Sequence, residues 1–313
     1  MDVLLTKPFN KGKHDLIRKL GVNSTIIDEK EITTQMDFSN IEVLIGVNPF
    51  LKIQIKKMPK LKWIQLLSTG INQLTKEIKS KSKIIITNMK GVYSIPIAEW
   101  VVGKILDISK YTRYFFEKQN EGKWDFNRNI IELSNKQALL IGTGSVAMEV
   151  AKRLKPFVKN ILGINTDGHL VEEFNDCYPI SHIMNVLPNS DIVVISLPLT
   201  KKTYHLFSYD LMEKIKDNSI LINISKGEAI NENDLIKLLN EEKFLGVALD
   251  VFENEPLDAH SRLWNFNKLI ITPHNSWFSD QIYERRFNVV YHNLINYLNG
   301  RKLESIVNII KGY

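Results

Sequence analysis

Ala138-Leu139-Leu140-Ile141-Gly142-Thr143-Gly144-Ser145-Val146-Ala147 reads as an apolar run, a pair of glycines one residue apart, and small residues leading into Met148 to Leu154. The run has the composition of a buried parallel strand. Gly142 to Ala147 have the spacing Gly-x-Gly-x-x-Ala, with Ala147 where a third glycine often stands. In such a turn the glycines let the backbone approach a pyrophosphate, and the unpaired N–H groups of the helix N-terminus stabilise its charge. A bare glycine pair is as readily a plain turn. A strand before it and a helix after it make it a dinucleotide site, with Gly142, Gly144, Ser145 and Val146 as expected contacts.

An acidic residue about 20 positions further on normally holds the adenosine ribose hydroxyls. Here the next strand, Ile161 to Ile164, ends in Asn165-Thr166-Asp167-Gly168-His169. A neutral Asn165 lacks the repulsion that excludes a 2′-phosphate, while no arginine comes after it to embrace one. The cofactor is therefore expected to be NAD or NADP, leaning to NADP, with Asn165 and Thr166 beside the ribose. The alternative reading of these residues is an ordinary loop after a strand.

Around this motif the chain alternates short apolar strands with helix-length stretches. Strands are expected at Ala138 to Ile141, Asn160 to Ile164, Asp191 to Leu197, Ser219 to Ile224, Phe244 to Leu249 and Leu269 to Thr272. A looser series precedes them: Val3 to Thr6, Val43 to Val47, Trp63 to Leu67 and Ile84 to Thr87. Such spacing predicts parallel sheets with helical crossovers. A long helix is expected from Pro96, with Ile97, Val101, Ile105 and Ile108 on one face. Another is expected over Ile282 to Leu298, with Ile282, Val289, Leu294 and Leu298 in phase and Asn299-Gly300 as its cap.

At 313 residues the chain exceeds a single core, so about two domains are expected. Hydrophobic residues make up 44% and charged residues 24%, a globular composition. The charge of +6 suggests a mild attraction for anions. Its densest stretch, Lys52 to Lys62, interleaves lysines with Ile53, Ile55, Met58 and Leu61, which predicts a solvated helix face and no nucleic-acid partner. No apolar stretch is long enough for a membrane span, and the start of the chain lacks the basic leader and apolar core of an export signal. A lone Cys177 excludes an internal disulfide and suits a cytoplasmic protein. Scattered histidines predict no metal site. No Gly-x-Ser-x-Gly elbow supports hydrolysis.

Several further stretches, in order, carry a family resemblance. They are Lys62-Trp63-Ile64-Gln65-Leu66-Leu67-Ser68-Thr69-Gly70-Ile71, Ala98-Glu99, Asp191 to Thr200, Asn223-Ile224-Ser225-Lys226-Gly227, Ala248 to Pro256, and Thr272-Pro273-His274. With the glycine turn, they make the chain resemble the D-isomer-specific 2-hydroxyacid dehydrogenase family. The resemblance implies two doubly wound parallel-sheet α/β domains, a Rossmann cofactor domain inserted into a flavodoxin-like substrate domain. The expected division is 96–280 for the cofactor domain, with 1–95 and 281–313 forming the substrate domain; helices 97–117 and 282–298 would carry the crossings.

The same resemblance implies site residues and a reaction, the interconversion of a small 2-oxo acid and its D-2-hydroxy acid by hydride transfer. His274 matches the acid/base histidine, and imidazole is suited to proton transfer near neutral pH. Glu255 matches the carboxylate that pairs with it and stabilises its charged form. Ser68, Thr69 and Gly70 match the loop whose N–H groups bind the substrate carboxylate. Asp250 resembles the residue receiving the nicotinamide carboxamide, Ile224 lies along the cofactor, and Pro198 and Thr200 line the adenosine side. Lys226 is the departure: relatives have arginine there, and lysine keeps the charge but loses the planar fork.

That departure keeps a second reading open, a non-catalytic dinucleotide sensor of the same fold. Retention of both Glu255 and His274 favours the enzyme. Formate-type relatives pair their histidine with glutamine, so Glu255 points to oxo-acid reduction. A homodimer is expected, formed through the cofactor domain and the helix from Pro96 that carries Trp100.

Overall fold

The computed structural model describes residues 1–80 and 83–309. The chain divides into two compact units, Met1–Val92 together with the segment from Ser279 onward, and Tyr93–Phe278. Each has its own all-parallel sheet.

In the first unit the strands are β1 (Asp2–Leu5), β2 (Asn23–Ile26), β3 (Val43–Gly46), β4 (Trp63–Leu66) and β5 (Ile85–Thr87). They hydrogen-bond in the order β2-β1-β3-β4-β5, so the order reverses between β1 and β3, as in flavodoxin-like sheets. Strand β2 was not expected from the sequence. As an edge strand with alternating exposure it needs no apolar run. The lysine-rich stretch is not a helix face. It holds one 3₁₀ turn, Ile55–Lys57, and follows another at Pro49–Leu51, while Ile53, Ile55, Met58 and Leu61 are buried. Apolar residues at irregular spacing anchor a loop here, which a helical period cannot describe.

The helix Ile282–Leu298 packs in this unit through Ile282, Phe287, Val290 and Leu294, whereas Leu298 is exposed and Val289 only half-buried. The expected apolar face is therefore rotated, because a polar residue takes part in it. Asn293 is fully buried and donates to Gln65 Oε1 at 2.9 Å while accepting from the Glu304 N–H at 2.8 Å. Gln65 Oε1 also accepts from Thr87 Oγ1 at 2.8 Å, and Thr87 Oγ1 accepts from Trp63 Nε1 at 2.8 Å. Buried polar groups are tolerated when satisfied in this way. Gly300, at φ 65°, closes the helix by donating to the Tyr297 carbonyl.

The second unit contains β6 (Gln137–Ile141), β7 (Asn160–Asn165), β8 (Asp176–Pro179), β9 (Ile192–Ile195), β10 (Ser219–Asn223), β11 (Phe244–Leu249) and β12 (Leu269–Ile271). Their order is β12-β11-β10-β9-β6-β7-β8, a doubly wound sheet whose direction of winding reverses at β6. Side chains alternate across the pleat. Ala138, Leu140, Ile192, Val194, Ile220 and Ile222 join one core, and Leu139, Ile141, Val193, Ile195, Leu221 and Leu249 join the other. Each fully buried Val, Leu or Ile contributes about 1.5–3 kcal/mol. Strand β8 escaped the sequence reading for the same reason as β2, being an edge strand, here ending in proline.

The expected helix 97–117 is two helices, Ser94–Ser109 and Thr112–Asn120. Val101, Ile105 and Ile108 bury the first. Tyr111 at φ 55° breaks the run, and the second helix buries no residue. Among the described residues no helix is long and apolar enough to cross a membrane.

Candidate functional site

Because all seven strands of the second unit run parallel, the turns at their C-terminal ends emerge along one edge. That edge carries Gly142 after β6, Asn165 at the end of β7, Pro198 and Thr200 after β9, Ile224 and Lys226 after β10, Asp250 and Glu255 after β11, and His274 after β12. The strand order reverses at β6, between β6 and β9, and open α/β sheets take ligands at the C-terminal strand ends beside such a reversal.

Gly142 lies at φ 102°, and a Cβ there would meet the Ser196 carbonyl oxygen at 2.8 Å. Only glycine serves both conditions. Gly144 precedes the helix Ser145–Leu154 with no side-chain cap, and a Cβ there would point into open space. The first N–H groups of a helix have no intrahelical partner; those of Gly144, Ser145 and Val146 donate to no acceptor among the described residues. Ser145 Oγ accepts from Ser94 Oγ at 3.1 Å. An open backbone cradle with free donors fits a dinucleotide pyrophosphate.

The side chain of Asn165 closes its own loop. Its Oδ1 accepts from the Gly168 N–H at 2.7 Å, and its Nδ2 donates to the His169 carbonyl at 2.8 Å and to Thr143 Oγ1 at 3.4 Å. This is the loop reading of the segment, with one addition: the amide ties that loop to the glycine turn. Thr166 is exposed. Asp167 pairs with His169 Nδ1 at 2.5 Å, and that bond holds its carboxyl below the usual range. After β9, the Pro198 carbonyl accepts from Thr203 Oγ1 at 2.7 Å, and the Thr200 N–H donates to the same hydroxyl at 2.8 Å.

Three loops then interlock. Asn223, buried at the end of β10, accepts from Ser225 Oγ at 2.7 Å and donates to the Lys226 carbonyl at 3.0 Å. It fixes the chain around Lys226, while the Ile224 N–H is taken by the Ile195 carbonyl at 3.2 Å. No ion-pair partner of Lys226 lies among the described residues. Asp250 is 1% exposed and accepts from Thr272 Oγ1 at 2.5 Å and from the N–H groups of Asn275 and Ser276, each at 3.0 Å. Those bonds bracket His274, which adopts φ 51°. Trp277 Nε1 donates to the His274 carbonyl at 2.8 Å.

The imidazole Nδ1 of His274 lies 2.6 Å from Glu255 Oε2. The other oxygen of Glu255 accepts the Phe252 N–H at 3.0 Å, so the carboxylate is oriented by its own turn. This arrangement leaves Nε2 as the ring atom for proton exchange with a ligand. Sequence reasoning missed Asn223, Thr272 and Trp277. For Asn223 the signal was present, since asparagine two residues before serine at a strand end favours a side-chain-closed turn; the bonds of Thr272 and Trp277 depend on long-range or post-motif geometry that no short pattern encodes.

Ser68, Thr69 and Gly70 belong to the first unit, in the loop after β4. Gln73 Nε2 donates to Ser68 Oγ at 2.8 Å and to the Val47 carbonyl at 3.0 Å, and Asn88 Nδ2 donates to the Thr69 carbonyl at 2.8 Å. With the carbonyls and the serine hydroxyl held, the N–H groups of Ser68, Thr69 and Gly70 donate to no acceptor among the described residues. Among those residues, no group of three or more His, Cys, Asp or Glu is placed to hold a metal ion.

Residues 102–276 match the family model described as D-isomer specific 2-hydroxyacid dehydrogenase, NAD binding domain. A glyoxylate reductase of Thermofilum pendens is 32% identical over 80% of this chain and 76% of its own length. Glyoxylate/hydroxypyruvate reductase B of Escherichia coli is 26% identical over 94% of each chain. A crystal structure of a D-isomer specific 2-hydroxyacid dehydrogenase family protein from Aeromonas salmonicida superposes with a TM-score of 0.84, at 27% identity, over 98% of this chain and 99% of that one.

Proposed function

Since the chain belongs to the D-isomer specific 2-hydroxyacid dehydrogenase family and is an NAD(P)-dependent oxidoreductase, we propose that it reduces a small 2-oxo acid such as glyoxylate or hydroxypyruvate to the D-2-hydroxy acid. The observation that carries this reading is the His274–Glu255 pair at 2.6 Å. A binding protein has no need of an imidazole backed by a carboxylate.

A dinucleotide held there would supply the hydride for the carbonyl carbon. His274 donates a proton from Nε2 to the carbonyl oxygen, so the 2-oxo acid gains one hydride and one proton. Glu255 orients the ring through its bond to Nδ1. The Lys226 ammonium neutralises the substrate carboxylate, and the N–H groups of Ser68, Thr69 and Gly70 orient it. The pyrophosphate would be held by Gly142, Gly144, Ser145 and Val146, with Ile224 along the cofactor and Pro198 and Thr200 on the adenosine side. Asp250, whose Oδ1 accepts two bonds and Oδ2 one, is the residue assigned to the nicotinamide carboxamide.

NADP is the favoured form. Asn165 brings no negative charge to the ribose, and the exposed Thr166 would meet a 2′-phosphate. Replacing Asn165 by Asp should raise the Michaelis constant for NADPH more than that for NADH.

The active form is proposed to be a homodimer in the cytoplasm. The helix Thr112–Asn120 buries nothing, and Phe116, Trp124, Phe126 and Ile130 are exposed around it. A second copy would cover them. Light scattering that gave a monomer at micromolar concentration would remove this proposal. For the reaction, glyoxylate, hydroxypyruvate, pyruvate and larger 2-oxo acids are to be offered with NADH and with NADPH while absorbance at the nicotinamide band is followed. Absence of oxidation with every acid would refute it.

A further inference from the structure

Behind the loops that carry Lys226 and Glu255 lies a second cluster of ionisable side chains, His205, Glu232 and Glu253. The Glu232 N–H donates to Glu253 Oε1 at 2.8 Å, and the Glu253 N–H donates to Glu232 Oε1 at 2.7 Å. Each carboxylate thus holds the backbone of the other. His205 Nε2 lies 3.3 Å from Glu253 Oε1, and both side chains are only about a quarter exposed, at 27% and 25%.

These contacts join three segments. His205, at φ 47°, donates its N–H to the Glu228 carbonyl at 2.7 Å, and Phe207 donates to the Ala229 carbonyl at 3.0 Å. The Lys226 carbonyl accepts from the Ala229 N–H at 3.1 Å. On the other side, Glu253 is next to Phe252, whose N–H orients Glu255. Burial pushes the Glu232 carboxyl above its ordinary value, and the charge of Glu253 adds to the effect. Two acids kept side by side against repulsion act here as backbone clamps.

We propose that Glu253 is a positioning residue: through its reciprocal bonds with Glu232 and its contact with His205 it fixes the Phe252–Glu255 turn against the Lys226–Glu232 segment, and so aims Glu255 at His274. This rests on the proposed reduction for its kinetic test but not for its spectroscopic one. Glu253 touches neither substrate nor cofactor in this scheme. Its side chain sets where the Glu255 carboxylate stands.

Glu253→Ala should lower kcat for 2-oxo acid reduction by about tenfold, the equivalent of about 1.4 kcal/mol in the barrier. Dinucleotide affinity, read by fluorescence titration, should not change. Glu253→Gln keeps an oxygen that can accept the Glu232 N–H, so it should restore most of the turnover. The second readout is the pair of ring-nitrogen resonances of His274 in protein labelled with nitrogen-15 histidine, assigned by their loss in His274→Ala. They should move in Glu253→Ala and stay near their wild-type positions in Glu253→Gln. Should the alanine variant not fold, Glu253→Asp, with the charge kept and the reach shortened, replaces it with the same expected pattern. If wild type reduces no oxo acid, the functional reading fails while the resonances still decide the positioning role. Unmoved resonances in a folded Glu253→Ala or Glu253→Asp protein overturn the proposal, as does glutamine behaving like alanine.

Discussion

Gly227 and Phe252 are in backbone contact: a Cβ on Gly227 would fall 1.8 Å from the Phe252 carbonyl carbon. Backbone cannot give way as a side-chain tip can, so Gly227→Ala must push apart the two segments bearing Lys226 and Glu255. Overpacking of this kind costs about 1–3 kcal/mol. A shift of about 1 Å in catalytic groups costs about 100-fold in rate. We expect a folded, less stable protein with kcat/KM reduced on that order. Unchanged kinetics would show that the two segments need not be in contact.

His274→Ala should lower turnover by about 10²- to 10⁴-fold, the usual loss on removing a general acid. Glu255→Gln should also reduce it. On the proposal that the two act as one unit, the double variant should be little worse than His274→Ala alone. Additive losses in the four-enzyme cycle would mean that the 2.6 Å contact plays no part in the reaction.

In the proposed reaction Lys226 would offer the substrate a single compact charge where a fork would fix both carboxylate and carbonyl oxygens. Lys226→Arg should therefore raise kcat/KM on small 2-oxo acids, by about tenfold for each 1.4 kcal/mol of improved contact. Lys226→Met should remove most activity and leave dinucleotide affinity intact. Wild-type activity in the methionine variant would move the carboxylate to a different cation.

Burial works against the charged form of Asp191, but the Lys216 ammonium at 2.7 Å and the Gln137 N–H at 2.9 Å outweigh it and hold the carboxyl below its ordinary value. A depressed folded-state value contributes stability above the unfolded one, about 3.9, and loses it as pH falls through the folded one. Thermal unfolding followed from neutral pH downward should show wild type losing stability below about pH 4. Asp191→Asn should start lower at pH 7 and fall less steeply. Parallel curves would place the acid sensitivity elsewhere.

Asn293→Ala should destabilise the first unit. It leaves the Glu304 N–H without its acceptor and removes one of the two bonds to Gln65 Oε1, at about 0.5–1.5 kcal/mol for each lost bond. Urea unfolding monitored by the fluorescence of Trp63, which belongs to the same network, measures the change. An unaltered midpoint would mean that water replaces the amide without cost.

Much of the fold is legible in the sequence because central strands such as Ala138 to Ile141 are buried on both faces and must be continuously apolar. The edge strands Asn23–Ile26 and Asp176–Pro179 need no such run, and nothing in their composition separates them from loops. Tyr111 breaks a helix whose apolar period continues on paper, because its left-handed backbone has no sequence signature in a tyrosine. The site divides in the same way. The residues proposed to carry the chemistry, such as His274 and Glu255, stand in short ordered motifs. The groups that hold them, Asn223 within its own turn and Asp250 across to residues 272–276, act through contacts that become visible only once neighbouring strands are paired.

The bond between Asn293 and Gln65 spans 228 positions, and the whole of the second unit lies between its ends. On a ribosome that separation becomes time. The second unit is one uninterrupted stretch and can close its sheet as soon as residue 278 has emerged, whereas the first must wait with Gln65 and Thr87 lacking their buried partner until the terminal helix is made. The first-synthesised segment, Met1–Val92, is thus the last to complete its buried polar network, although its five strands are all made before the second unit begins.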